Sequence, residues 1–240
     1  MKPETLAAIQ ADRAARRPVV LATRLSDAAE ARIYPDRVEG ELAPPPEVLS
    51  AARAVFSNGQ SGPVESSQGV VFLHAFLPSH RLVIVGAVHI AQALAPMATM
   101  MDLDVTVIDP RRAFASDARF PGVHVMQDWP DEALEQLRPD SGTAVVTLTH
   151  DPKLDDPALE VALKSDAFYV GALGSRRTHA KRKERLAALG IGENQFARIH
   201  GPVGLNIGAK SPAEIAISIL GQLIETRARI AAPAVAKDAA

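Results

Sequence analysis

Apolar positions in the first part of the chain come singly or in short alternation, whereas from Arg81 onward they gather into compact blocks separated by stretches with helical spacing. The blocks at 82–85, 105–108, 123–126, 144–148 and 168–170 read as strands, and 87–101, 130–138, 153–163 and 175–189 as the helices between them. Continuous β-branched runs alternating with helices imply a parallel sheet buried on both faces. The pattern therefore predicts an α/β fold, a doubly wound Rossmann-like sheet in three layers. Such sheets hold ligands at the carboxyl ends of their strands, here Gly86, Asp109, His150 and Gly171.

The preceding region follows another rhythm. An alanine-rich helix is expected over 4–16, a strand over 18–23, a stiff turn at the prolines of 41–46, and a helix over 47–56 ending at Asn58-Gly59. A loop rich in glycine and serine then runs to Gly69, and 70–77 is expected as a strand at the edge of the sheet that follows. The chain thus divides into a small α+β region at 1–78, a Rossmann-like domain at 79–230 and a flexible alanine-rich tail at 231–240. There is no internal repeat.

Composition narrows the function classes. With 240 residues and 47% hydrophobic content the chain can bury a substantial core. Apolar stretches break within about 10 residues, short of the ~20 a membrane span needs, and the first residues lack the pattern of a secretory signal. Cysteine is absent, so no disulfide framework, thiolate metal site or cysteine nucleophile exists, and a cytoplasmic location is the expectation. A formal net charge of −2 argues against broad nucleic-acid binding. Any affinity for anions is therefore local.

Four strand ends carry candidate chemistry. Gly86-Ala87-Val88-His89-Ile90-Ala91 keeps the first glycine and the small third residue of the dinucleotide fingerprint, with Asp109 about 20 residues on, where an acidic group grips a ribose hydroxyl. The middle glycine is replaced by Val88, whose branched side chain stands where a pyrophosphate would lie on bare backbone. The turn is either a ligand seat or a tight strand-to-helix connection in which Asp109 caps the bend or pairs with Arg111 or Arg112. His150-Asp151 at the next end suits a general base, a proton relay or a metal site, yet Asp151-Pro152 is also an ordinary helix start. Gly171-Ala172-Leu173-Gly174-Ser175 opens a helix with a serine cap and then Arg176 and Arg177, two cations that oppose the helix dipole unless an anion is near. Arg182, Lys183 and Arg185 further along are expected to point into water, balanced by Glu184 and neighbouring carboxylates. The glycines of 201–208 make a loop in which Gly204 and Gly208 have no evident structural duty. Ser211, Pro212 and Glu214 then start the last helix, over 213–227.

Taken in order, Val85-Gly86-Ala87-Val88-His89, Val107-Ile108-Asp109-Pro110-Arg111, Thr149-His150-Asp151-Pro152-Lys153, Tyr169 through Arg177, and Gly204-Leu205-Asn206-Ile207-Gly208 through Ala216 resemble the Rossmann domain of the XdhC/CoxI family, accessory proteins of xanthine dehydrogenase and related molybdenum hydroxylases. The resemblance covers about residues 80 to 227. It implies a chaperone without turnover of its own that binds the molybdenum cofactor, holds it during sulfuration by a cysteine sulfurtransferase and passes it to an apo-hydroxylase. Gly86, Ala87, His89, Asp109, Arg111, His150, Asp151, Gly171, Gly174, Ser175, Arg176, Arg177, Gly204 and Gly208 are the expected contacts to molybdopterin or its nucleotide form, with no protein-bound metal.

Two departures accompany the likeness. Family members usually carry glycine where Val88 stands, and their separate amino-terminal domain has a cysteine-containing segment with no counterpart here. That segment's role is expected to be dispensable or to come from a separate cysteine-bearing chain, and a homodimer is the expected state. Two rival classes remain open on the residues alone: a nicotinamide-dependent oxidoreductase using Asp109 and His150, and a degenerate scaffold that binds only a partner protein.

Overall fold

The structure, a computed structural model, describes residues 1–231; residues 232–240, which hold all but the first position of the expected tail, lie outside the described residues. The chain divides into two compact units, Met1–Pro78 with the residues from Arg229 on, and Ser79–Ala228.

The amino-terminal unit runs α1 (Pro3–Ala14), β1 (Val19–Arg24), β2 (Glu30–Ile33), β3 (Val38–Gly40), α2 (Pro46–Asn58), β4 (Gly62–Ser66) and β5 (Gly69–Phe76). Its strands form one antiparallel sheet in the order β3-β2-β1-β5-β4. Alternation along β1 sends Val20 and Ala22 to a core under Val48, Ala52 and Val55 of α2, and Val19 and Leu21 to a second cluster with Ile9 of α1. Helix α2 stops at Gly59, whose φ of +70° is open to glycine without steric cost and whose N–H caps Val55.

Two expectations are corrected in this unit. The 70–77 strand does not border the parallel sheet; β5 lies between β1 and β4 of the unit's own sheet. Its side chains show why, since Val71 and Leu73 are buried while Phe72 and His74 face solvent, the half-wet alternation of an antiparallel strand. The stretch before Gly69 is also not wholly loop, because β4 within it pairs Gly62 to Ser66 against Leu73 to Gly69.

The second unit runs β6 (Arg81–Val85), α3 (His89–Thr99), β7 (Asp104–Ile108), β8 (His124–Met126), α4 (Pro130–Leu137), β9 (Thr143–Thr147), α5 (Pro152–Lys164), β10 (Tyr169–Ala172), α6 (Arg176–Ala188), α7 (Glu193–Phe196), β11 (Ile199–His200) and α8 (Pro212–Ala231). The strands form one sheet, β11-β10-β9-β6-β7-β8, with every neighbouring pair parallel. Counted from the first parallel strand this is the 3-2-1-4-5-6 order of the doubly wound fold. Leu82, Ile84, Val105, Val107 and Val146 meet α3 and α8 on one face, while Val83, Val85, Val145 and Val170 meet α4, α5 and α6 on the other. Both faces being covered explains why these strands read as unbroken apolar blocks. Burying a side chain such as Leu94 or Leu159 completely contributes about 2 kcal/mol.

Candidate ligand-binding site

The order of the sheet reverses between β6 and β9, so a crevice is expected beside the Gly86 turn. That turn is closed by the protein's own groups. Gly86 has φ +109°, and a Cβ there would stand 2.5 Å from Thr149 Cγ2, so glycine is required by backbone shape and by the approach of β9. Asp109 is fully buried. Its Oδ2 accepts from the Ala87 N–H at 2.8 Å and from Arg111 Nη2 at 2.7 Å, and its Oδ1 from Arg111 Nε at 2.9 Å and the Arg111 N–H at 3.0 Å. Burial works to raise the Asp109 carboxyl, but these donors together hold it below the usual carboxylate range. A carboxylate so occupied has no lone pair aimed outward for a ribose hydroxyl. Asp109 and Arg111 thus pin the turn after β6 to the end of β7, the second of the two roles the spacing left open. His89, in the first turn of α3, is exposed.

A more open arrangement lies at the carboxyl ends of β9 and β10. His150 follows β9 with φ +64°, a left-handed conformation that a side chain adopts at a cost of about 1 to 3 kcal/mol and that recurs at functional positions. The bend around it is built by Thr149, whose hydroxyl accepts from the Asp151 N–H at 3.1 Å and donates to Asp155 Oδ1 at 2.7 Å. Asp151 caps α5 through Lys153 N–H at 3.0 Å, as its position before Pro152 suggested. Across from it, Ser175 caps α6 through the Thr178 N–H at 3.1 Å, and Gly174 turns with φ +144° over the Thr178 side chain.

Between these two helix starts lies a cleft of about 140 Å³, lined by His150 and Pro152, by Asp155 and by Arg177, Lys181, Arg182 and Arg185 of α6. Arg177 and Lys181 are exposed. Arg176 is exposed as well but does not line the cleft. The solvent role expected for Arg182 and Arg185 is overturned. The Arg182 side chain is 1% exposed, donates Nη2 to the Leu173 carbonyl at 3.0 Å and stands 3.6 Å from Asp155. Arg185 is half-buried against Asp156, with Nη2 to Oδ1 at 3.0 Å. The physical reason is the helix period: Arg182 is one turn before Leu186, on the face of α6 turned toward the sheet. Run-length reading of a strongly basic segment hides that phase.

Burial pushes the Asp155 carboxyl above its ordinary value and works against the charge on Arg182. Both shifts oppose ionisation, the signature of a pair whose attraction does not make up for lost hydration. Arg182 Nε and Nη1 and Asp155 Oδ2 are buried with no hydrogen-bond partner. Asp151 and Asp155 also act on the Arg111 guanidinium, so the three strand ends share one electrostatic neighbourhood.

The remaining expected positions are structural in the first instance. A Cβ on Gly171 would come 2.6 Å from Val203 Cγ2. Gly204 has φ +95° and sits on Ser218 of α8, where a Cβ would lie 2.3 Å from Oγ, and its N–H donates to Gln222 Oε1 at 2.9 Å. Gly208 is also left-handed, at φ +78°. The backbone therefore demands glycine at Gly204 and favours it at Gly208, a duty the sequence did not reveal. Glu214 and Ser211 close the expected capping box at the start of α8. Among the described residues, no group of three or more histidine or acidic side chains is placed to hold a metal ion.

Residues 82–223 match the family profile of the XdhC Rossmann domain. A Bacillus subtilis protein named as a probable xanthine dehydrogenase subunit is 31% identical over 162 residues, 67% of this chain and 47% of its own length. The Escherichia coli molybdenum cofactor insertion chaperone PaoD is 32% identical over 152 residues, 63% of this chain and 42% of its own. The chain thus spans less than half the length of these two curated relatives. A crystal structure described as a xanthine dehydrogenase from Bacillus halodurans aligns with 98% of this chain and 66% of its own at a TM-score of 0.68 and 26% identity.

Proposed function

Because the chain belongs to the XdhC family through its Rossmann domain, we propose that it binds the molybdenum cofactor, protects it while a terminal sulfido ligand is installed, and passes it to an apo molybdenum hydroxylase, without turnover of its own. The observation that carries this reading is the cationic cleft at the carboxyl ends of β9 and β10. Molybdopterin ends in a phosphate, and Arg177, Lys181 and the buried Arg182 suit an anionic group there. His150 on the cleft's other wall, with Asp151 beside it in the chain, suits the pterin edge, which offers donors and acceptors. The dithiolene sulfurs of the cofactor hold the molybdenum, so the reading needs no protein thiolate. The name of the Escherichia coli relative supports the same direction.

The chain's residues act here by binding and release. The cap geometry of α5 and α6 fixes the two walls, Asp109 and Arg111 keep the neighbouring turn rigid, and the cleft remains open for hand-over. In this reading the partners are the apo-hydroxylase, a cysteine sulfurtransferase and a cysteine-bearing chain. The working state is a cytoplasmic homodimer; no described helix is long and apolar enough to cross a membrane.

The test measures molybdopterin carried by the purified chain, read as the fluorescence of its oxidised pterin, and activation of apo-hydroxylase by the loaded chain. Replacing Arg177 and Lys181 together with alanine is expected to weaken retention by about 2 to 4 kcal/mol, at about 1.5 to 3 per charged hydrogen bond with incomplete additivity. Equal retention by folded mutant and wild type removes the cationic wall of α6 from the site. Absence of pterin together with failure to activate any hydroxylase removes the chaperone reading.

A further inference from the structure

The charge count of the cleft carries more than a general preference for anions. Arg182 is a guanidinium with five N–H donors, buried beyond nine-tenths, and only one hydrogen bond is satisfied, to the Leu173 carbonyl. The Asp155 carboxylate at 3.6 Å is too distant for a second. Its Nε and Nη1 are among the few buried side-chain atoms without a partner, and both belong to a residue that lines the cleft. Buried donors left unmade cost about 1 to 3 kcal/mol each, and such groups in a native fold are met by ordered water or by a ligand.

The other charges say which ligand. Arg185 is taken up by Asp156 through two hydrogen bonds. Arg177 and Lys181 make no ion pair among the described residues, and both line the cleft. Against Arg177, Lys181 and Arg182 stands the single Asp155 carboxylate, leaving two uncompensated positive charges. A terminal phosphate monoester carries nearly two negative charges at neutral pH, whereas a phosphodiester carries one.

We infer that this cleft is a seat for a terminal phosphate monoester, with Arg182 at its floor and Arg177 and Lys181 at its rim, and that it discriminates against singly charged phosphodiesters. The inference rests on the cofactor reading and deepens it: the cleft is the seat of the cofactor's terminal phosphate. Burial raises the Asp155 carboxyl, so this one acidic group offsets at most one of the cleft's cations. The N–H of Thr178 is already held by Ser175.

The test titrates the full chain, at constant ionic strength, with methyl phosphate and with dimethyl phosphate by calorimetry. Methyl phosphate is expected to bind at least tenfold tighter. Arg177→Ala and Lys181→Ala, both exposed and so tolerable to the fold, are each expected to weaken it at least tenfold. Lys183→Ala, two residues further along the same helix but paired with Glu193, is expected to stay within twofold. Arg182→Met probes the floor, and the rim variants decide the matter should that protein fail to fold. Equal binding of the two esters, or unchanged affinity in Lys181→Ala, overturns the inference. Monoester selectivity without molybdopterin retention leaves it standing and sinks the cofactor reading; retention without monoester selectivity does the reverse.

Discussion

Asp109 and Asp155 are carboxylates buried at the same edge of one sheet, and their surroundings push them in opposite directions. Asp109 is held below its ordinary range by Arg111 and the Ala87 N–H despite burial. Its folded value being the lower one, its stabilisation is present above the unfolded carboxylate pKa and is lost as pH falls through the folded value. Asp109→Ala is expected to cost about 3 kcal/mol near neutral pH, with the gap to wild type narrowing in acid, as followed by urea unfolding at several pH values. Asp155 is raised by burial. Its contribution is complete below the unfolded pKa and is lost as pH rises through the folded value, so the stability of Asp155→Asn relative to wild type should improve from pH 4 to pH 7. A trend of the opposite sign would show that Arg182 dominates the carboxylate. The sequence placed Asp109 at the right strand end but left its partner open, because a spacing cannot say whether a carboxylate faces a ligand or the arginine two residues on. Arg182 was illegible for a related reason: the basic run around it gives the hydropathy of a wet helix whatever the phase of one member.

At the scale of elements, long apolar blocks were readable and short pieces were not. The strands β6, β7, β9 and β10 and the helices between them follow directly from burial on both faces. The pieces β2, β3, α7 and β11 are too short to establish a period, and their pairing is set by neighbours distant in sequence. The turn from β6 to α3 looked like a degraded dinucleotide seat, and its geometry explains the degradation. Gly86 is pressed on Thr149, the Ala87 N–H is committed to Asp109, and Val88 sits at the helix N-cap. Oxidised or reduced NAD and NADP are accordingly expected to bind no tighter than about 0.1 mM, or −5.5 kcal/mol, in a calorimetric titration. Micromolar affinity would return the oxidoreductase reading to first place.

For the whole molecule, family membership and the doubly wound architecture were legible because five motifs recur in order along one domain. The independent antiparallel sheet of the first unit was not, since alternation reveals that a strand is half-buried and not which sheet receives it. Helix α8 leaves Ile217 and Ile224 exposed, two turns apart on one face. If that stripe closes the proposed two-fold dimer, Ile217→Asp with Ile224→Asp should give a folded monomer in sedimentation analysis, while a dimer persisting in the double variant would place the contact elsewhere. The sheet order also dictates a sequence of events in time. The central strand β6 pairs on one side with β7, soon after it in the chain, but its other edge waits for β9, with Arg81 opposite Thr143, 62 residues later. A chain emerging from the ribosome therefore carries an apolar strand with one unprotected edge until the later half arrives, and the walls of the cleft are among the last parts to form. Loop closure of that span slows refolding, and the open edge makes misassembly rise with protein concentration.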